Sequence, residues 1–348
     1  MAYTTINNGK DYFNPVLFTG NGSNDHAITG VGFQPDWVWL KGRNAADGNN
    51  LWDINRGVNK RLFTHNSNAE LADTNSLKSF DSDGFTMDND SGINGSGDTY
   101  ITWNWLASNT TASNSDGSIT STVSVNTTSG LSIVTYTGNA TNGATVGHGL
   151  GKVPSMVITK ARNDSPSHWR TYHVGLTDYT YAVTLNDTNA SATGYGLHAT
   201  PTSSVFALTN SSQRNQNTIN YIAYCFAEIQ GYSKFGKYTG NGNTDGPFIY
   251  TGFKPSFLLV KNSSDGGEGG MFDTARNTFN VVNARVSADS DGTEYSGDSN
   301  RDFDFLSNGI KVRNGSAQVF NTSGQTHIYI AFAEHPFVSS KGVPVTAR

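Results

Sequence analysis

The sequence predicts an all-β protein of three tandem, homologous β-sandwich-like units with short strands and Asn/Gly-rich turns. Composition, recurrence and the patterning of aromatic residues carry that expectation. The 348 residues include 38 glycines, with charged residues at only 15% and aromatics at 11%. Asn, Ser, Thr and Gly supply turns, and Val, Ile, Tyr, Phe and Trp between them fit pleated, half-buried surfaces. Aromatics in patterned runs at that density exclude a disordered chain.

Recurrence is the stronger observation. LFTGNGSNDHAITGVGFQPDWVWLKGRN (17–44) returns as TYTGNATNGATVGHGLGKVPSMVITKARN (135–163) and as KYTGNGNTDGPFIYTGFKPSFLLVKNS (237–263). Thr-Gly-Asn turns begin at Thr19, Thr137 and Thr239, and Pro35, Pro154 and Pro255 keep step with Lys41, Lys160 and Lys261. Each unit closes on an aromatic strand: TYITWNWLA (99–107), NYIAYCFAE (220–228) and HIYIAFAE (327–334) place Trp105, Phe226 and Phe332 in register.

In chain order, the reading is an N-terminal arm (1–16), unit 1 (17–107), a Ser/Thr/Asn-rich linker (108–130), unit 2 (131–228), unit 3 (229–337) and a C-terminal arm (338–348). Ile119, Val123 and Val125 sit at even spacings in the linker and admit an added strand. The short aromatic junction IQGYSKFGK (229–237) implies close packing of units 2 and 3. SFDSDGFTM (79–87) and DFLSNGIKV (304–312) read as hairpins turning at Asp83-Gly84 and Asn308-Gly309. PTSSVFALT (201–209) lacks the glycine. No long amphipathic helix is present.

Trp37 and Trp39, two apart in GFQPDWVWLK, could be a sugar platform or a core. The repeats favour a core, because Trp37 corresponds to Met156 and Phe257, and Trp39 to Ile158 and Leu259. Alternation puts Trp37 and Trp39 on one face of the strand and Val38 and Leu40 on the other, so both faces are expected to be covered. Trp37, Trp39, Trp105, Phe226, Phe257 and Phe332 are therefore the expected structural core. WDINR (52–56) recurs as FDTAR (272–276), which predicts structural ion pairs Asp53–Arg56 and Asp273–Arg276. In unit 2 the corresponding WRTYH (169–173) has lost the acid.

No catalytic, cofactor-binding or metal residue is expected. The histidines form no HExxH, no CxxC exists, and the calcium-loop pattern fails in DSDGFTMDNDSG, with Phe85 at position 5 and Gly92 at position 12. The acidic loop 287–300 has no consistent ligand spacing, and whether it takes a surface calcium stays open. GxSxG and Ser-Lys signatures are absent. A carboxylate pair assembled from distant strands stays open on spacing alone, although Glu228 and Glu334 recur at equivalent strand ends, as structural parts do. Cys225, inside an apolar run, reads as a core thiol. A net charge of −5 without a basic block argues against nucleic acid as a partner. No run of about 20 apolar residues is there to insert into a membrane. The start, MAYTTINNGKDYFNP, lacks the pattern of a secretory signal, so synthesis in a cytoplasm is expected.

The motifs TGNG…GFQPDWVWLK, RGVNKRLFTHNSNAE, SFDSDGFTM, YIAYCFAE and GYSKFGKYTGNGNTDGPFIYTGFKP resemble a family of tailed-phage virion proteins, of marine and cyanophage type, usually described as tail-fibre-like or structural. The resemblance spans nearly the whole chain. It implies a non-enzymatic virion protein on the particle exterior, first a tail fibre or spike component for host attachment. Capsid decoration or a head appendage is the alternative, and a surface-glycan depolymerase the second. The implied partners are other virion proteins, a host-surface glycan or receptor, and further copies of the chain, with a trimer favoured. The resemblance transfers no catalytic residues.

Overall fold

The computed structural model describes residues 4–297, 301–315 and 319–336. It is an all-β fold. The helical elements among the described residues are single short turns at Gly9–Asp11 and Ser91–Asn94.

Three larger antiparallel sheets share one strand order. The first runs Phe13–Thr19, Thr99–Trp105, Trp37–Gly42, Asn49–Asp53, then the short Lys60–Phe63 and Leu71–Ala72. The second places Leu131–Thr137, Asn220–Phe226, Met156–Ala161 and Arg170–His173 in those positions, followed by Tyr181–Thr184 and Ala192–Thr193. The third uses Ser233–Thr239, Thr326–Pro336, Phe253–Asn262, Gly270–Asp273 and Val286–Ser287. In each sheet the aromatic closing strand lies between the strand carrying the Thr-Gly-Asn turn and the Pro-led strand. A smaller sheet lies against each: His26–Thr29 with Gly84–Met87 and Leu77–Asp81, Thr145–Gly147 with Val205–Ala207, and Phe248–Tyr250 with Gly309–Val312 and Phe303–Leu306. A larger sheet with its smaller partner is called a sector below.

Strand alternation decides how the sectors meet. Trp37 and Trp39 enter a central cluster with Trp103 and Trp105 from the first sheet, Ile158, Tyr224 and Phe226 from the second, and Phe257, Ile330 and Phe332 from the third. Val38 and Leu40 point the other way, onto Ile28, Phe85 and Met87 of the first small sheet. The second and third sectors have their own outer cores, around Val157 and Phe206 and around Leu258 and Ile310. Each large sheet is thus buried on both faces, which explains why its central strands carry apolar residues without polar alternation. All six residues expected in the core lie in the central cluster.

Two boundaries need correction. Residues 4–16 are not a free arm: Phe13 pairs with Trp105 and is fully buried, its ring 5.0 Å from Phe332, and Ile6 is buried in the same cluster. The segment 108–130 is not a plain linker either. Ala112–Asn114 and Ser121–Asn126 form a hairpin that extends the second sheet beyond Leu131–Thr137. Val123, at the predicted even spacing, buries against the second outer core. The arm proposed at 338–348 lies outside the described residues.

The Thr-Gly-Asn turns recur for a steric and a hydrogen-bonding reason. A Cβ on Gly20 would stand 2.2 Å from the Gly95 carbonyl oxygen, and one on Gly240 would stand 2.3 Å from that of Thr322. Only glycine allows that approach. The following Asn is clamped by a buried amide from across the sector. The Asn21, Asn139 and Asn241 N–H groups donate to the side-chain oxygens of Asn94, Asn215 and Asn321.

Candidate functional site

Among the described residues no group of three or more His, Cys, Asp or Glu side chains is placed to hold a metal ion. His168 and His173, neighbours in sequence, have different environments: the first is partly exposed and the second buried. Cys225 is fully buried, and burial pushes its thiol well above the usual range, which makes it a poor nucleophile. Asp36, Arg214 and Arg285 are buried within single sectors, and a second set of buried charges, Asp53, Arg56 and Asp273 among them, lies where sectors meet.

At the seam of sectors one and two, Asp53 and Arg56 are buried and paired at 2.5 Å. Asp53 also accepts from the Arg56 N–H and from the Tyr224 hydroxyl of sector two, at 3.0 and 2.7 Å. Arg56 donates onward to the Leu51 and Lys60 carbonyls and faces Glu70, which receives a two-pronged contact from Arg162 of sector two at 2.8 and 3.0 Å. Burial opposes the Arg56 charge, but Asp53, Tyr224 and Glu70 together hold its pKa above the ordinary value.

The seam of sectors three and one repeats this arrangement. Asp273 pairs with Arg276 at 2.7 Å and accepts from the Trp103 indole of sector one at 3.1 Å. Arg276 donates to the Met271 carbonyl and faces Glu294, which Arg43 of sector one grips at 2.8 and 2.9 Å.

At the seam of sectors two and three every charged part is replaced. Strand register puts His173 opposite Met156, where Asp53 stands opposite Trp37 and Asp273 opposite Phe257. Leu176 follows where the arginines would be. The donor position of Tyr224 and Trp103 is held by Ile330, and Ser191 and Ser263 stand in for the glutamate and the gripping arginine. The main chain keeps its bond across all three seams: Glu70 to Arg162, Ser191 to Ser263 and Glu294 to Arg43, at 2.7, 2.9 and 2.8 Å. Leu176 packs on Val183 and Ile328. A buried ion pair and a well-packed apolar substitute have comparable stability, so the exchange is tolerated when the whole set changes together.

The three recurring lysines form a second set of cross-sector ties. Lys41, Lys160 and Lys261 are buried, and each ammonium donates to a main-chain carbonyl of the neighbouring sector: Asp291 at 2.9 Å, Ser67 at 3.2 Å and Asp187 at 2.6 Å. Burial lowers their pKa values, to about 8 for Lys41 and about 7 for Lys160. A lysine so shifted is a candidate nucleophile in an open cleft. Here the donors are turned onto carbonyls from two sectors, which makes them fasteners. The recurrence of these lysines was visible in the sequence. Their partners were not, because they lie in loops without common spacing, as do Glu70 and Glu294.

The acidic loop has the same structural role over its described part. Asp289 pairs with Lys261, Asp291 supplies the carbonyl to Lys41, and Glu294 joins Arg43 and Arg276. Inside the central core a void of about 30 Å³ is lined by Trp37, Ile158, His173, Phe226, Leu259 and Ile330 among others. That is room for about two waters and no ligand.

His173 is expected to give the seam of sectors two and three a pH dependence. Its Nδ1 accepts from the Gly175 N–H at 3.0 Å and its Nε2 donates to the Tyr329 carbonyl at 3.1 Å, a pattern only the neutral ring satisfies. Burial lowers its pKa to about 4, with the Tyr329 contact opposing. The unfolded chain, with a histidine near 6.5, binds more protons than the folded one between those values, so stability falls as pH drops through that window. From pH 7 to pH 5 this histidine alone is expected to cost about 2 kcal/mol. In H173Q, whose amide can make both hydrogen bonds, urea unfolding should depend less on pH over that range. An unchanged slope would remove His173 as the cause.

No helix among the described residues is long and apolar enough to cross a membrane. Comparison with curated proteins and with solved structures finds no match. A family model described as a domain of unknown function, DUF7483, matches residues 8–336, a span that takes in all three sectors and every seam described above. The chain belongs to the DUF7483 family.

Proposed function

We propose that the protein is a non-enzymatic structural component of a tailed-phage virion, a tail fibre or spike part used in host attachment, and that its three sectors are copies of one ancestral unit. The observation that carries the reading is the fusion of three sectors around one apolar core, with buried ion pairs and lysines fastening neighbours. Such a body is rigid and leaves its variable loops outside, which is the division of labour expected of a displayed recognition scaffold. The resemblance to phage virion proteins supports the same assignment. Three sectors about one core also let a single chain match a threefold particle axis, in addition to the trimer expected from the sequence.

Immunogold labelling of intact particles tests the placement. Gold confined to the tail is the expected result. Gold over the whole head would replace attachment by capsid decoration. Release of reducing sugar from host envelope by the purified protein would replace it by a depolymerase.

A further inference from the structure

The small sheet of the third sector differs from its two counterparts on its outward face. Ile28, Val146 and Ile249 are the buried middle residues of equivalent strands. Their flanking residues are Ala27 and Thr29 in sector one, and Thr145 and Gly147 in sector two. In sector three they are Phe248 and Tyr250, 48% and 59% exposed. Alternation puts both rings on one face, about 7 Å apart along the strand. Among the described residues neither ring meets another aromatic side chain or an arginine, whereas exposed Tyr195 and Tyr295 are each covered by an arginine.

Beside Tyr250 opens a cleft of about 320 Å³, floored by the junction between sectors two and three. Its polar lining includes Glu228, Gln230 and Lys234. Glu228 and Lys234 pair at 2.6 Å, each about one-third exposed, so the cleft is charge-balanced while carboxylate lone pairs and ammonium hydrogens remain available. The Glu228 carboxylate is fixed from behind by the Phe235 N–H at 3.2 Å. Gln230 is exposed, and its amide has no hydrogen-bond partner among the described residues.

We propose that this cleft is a saccharide-binding site, in which the Tyr250 ring stacks on the apolar C–H face of a neutral pyranose while Glu228, Gln230 and Lys234 bond its hydroxyls. The ligand class follows from the chemistry. One flat ring beside clustered donors and acceptors matches a pyranose, which has one apolar face and a polar rim. Balanced charge disfavours phosphate or sulfate, and the polar lining disfavours an apolar ligand. The proposal rests on the attachment reading and names its receptor chemistry.

Saturation-transfer NMR of the full chain with glucose, galactose, mannose and N-acetylglucosamine at millimolar concentration is the test. At least one sugar is expected to bind, about fivefold more weakly to Y250A, the stacking share of a tyrosine ring, and more weakly to Q230A as well. Y295A should bind like the parent. Absence of binding to all four sugars, or binding unchanged in both Y250A and Q230A, overturns the site. The readout is independent of particle labelling: protein absent from virions that still binds sugar through Tyr250 would sink only the virion reading.

Discussion

Replacing Asp53 by alanine is expected to destabilise the protein by about 3–5 kcal/mol, the usual cost of removing one partner from a buried pair. The carboxylate receives three donors: the Arg56 guanidinium, the Arg56 N–H and the Tyr224 hydroxyl. Its loss leaves a fully buried guanidinium facing Glu70 at 3.4 Å and two carbonyls, and strands a buried hydroxyl. Asparagine at 53 keeps one accepting oxygen and should cost less. Y224F removes a single donor and should cost about 1 kcal/mol. Because the pair joins two sectors that share one core, the loss should shift a single urea transition for the whole chain, with little change of slope. A D53A protein with the parent's midpoint would show that the pair does not hold the seam.

Much of this architecture was legible in the residues. Alternation in GFQPDWVWLK put Trp37 and Trp39 opposite Val38 and Leu40, and the structure separates them into the central and first outer cores. The closing strands align Trp105, Phe226 and Phe332 at one position of the repeat, and in the structure Trp105 and Phe226 both pack on Phe332. What the sequence concealed was the relation between sectors. Burial on both faces says that a sheet is covered, and cannot say that the cover is the other two sheets. Asp53–Arg56 was readable because its members are three residues apart. Tyr224, 171 residues away, was not. The N-terminal stretch was misjudged because its apolar residues are few, yet Phe13 closes the core between the first and third sheets.

Strand register matches WDINR and FDTAR to Tyr172–Leu176, three residues beyond the expected 169–173, and the acid missing there has a physical explanation only in the assembled fold. An aspartate at 173 would face Ile330 instead of Tyr224 or Trp103, and would lack an arginine because Leu176 holds that place. Unpaired and buried, it would be costly. Histidine instead satisfies both ring nitrogens, one on the Gly175 N–H of its own turn and the other on the Tyr329 carbonyl across the seam. Restoring one charge at that seam should therefore destabilise, whereas restoring the full set could be neutral.

The second large effect concerns Trp37. Its ring stacks at 4.1 Å on Tyr224 of the second sheet and 4.3 Å on Trp105 of its own, and it is 1% exposed. W37A should cost about 3–5 kcal/mol, because rigid neighbours from separate sheets cannot collapse into the cavity. W37F should cost much less, about 1 kcal/mol. The third sheet already uses Phe257 at this register, and the Trp37 indole N–H is buried without a partner among the described residues, so phenylalanine removes an unsatisfied donor as well as volume. Core and platform roles predict opposite results: a ring used only for stacking on a sugar could be truncated with little effect on stability. If W37A unfolds within about 1 kcal/mol of the parent, or its transition splits with one part unchanged, the sectors do not share a core through this residue.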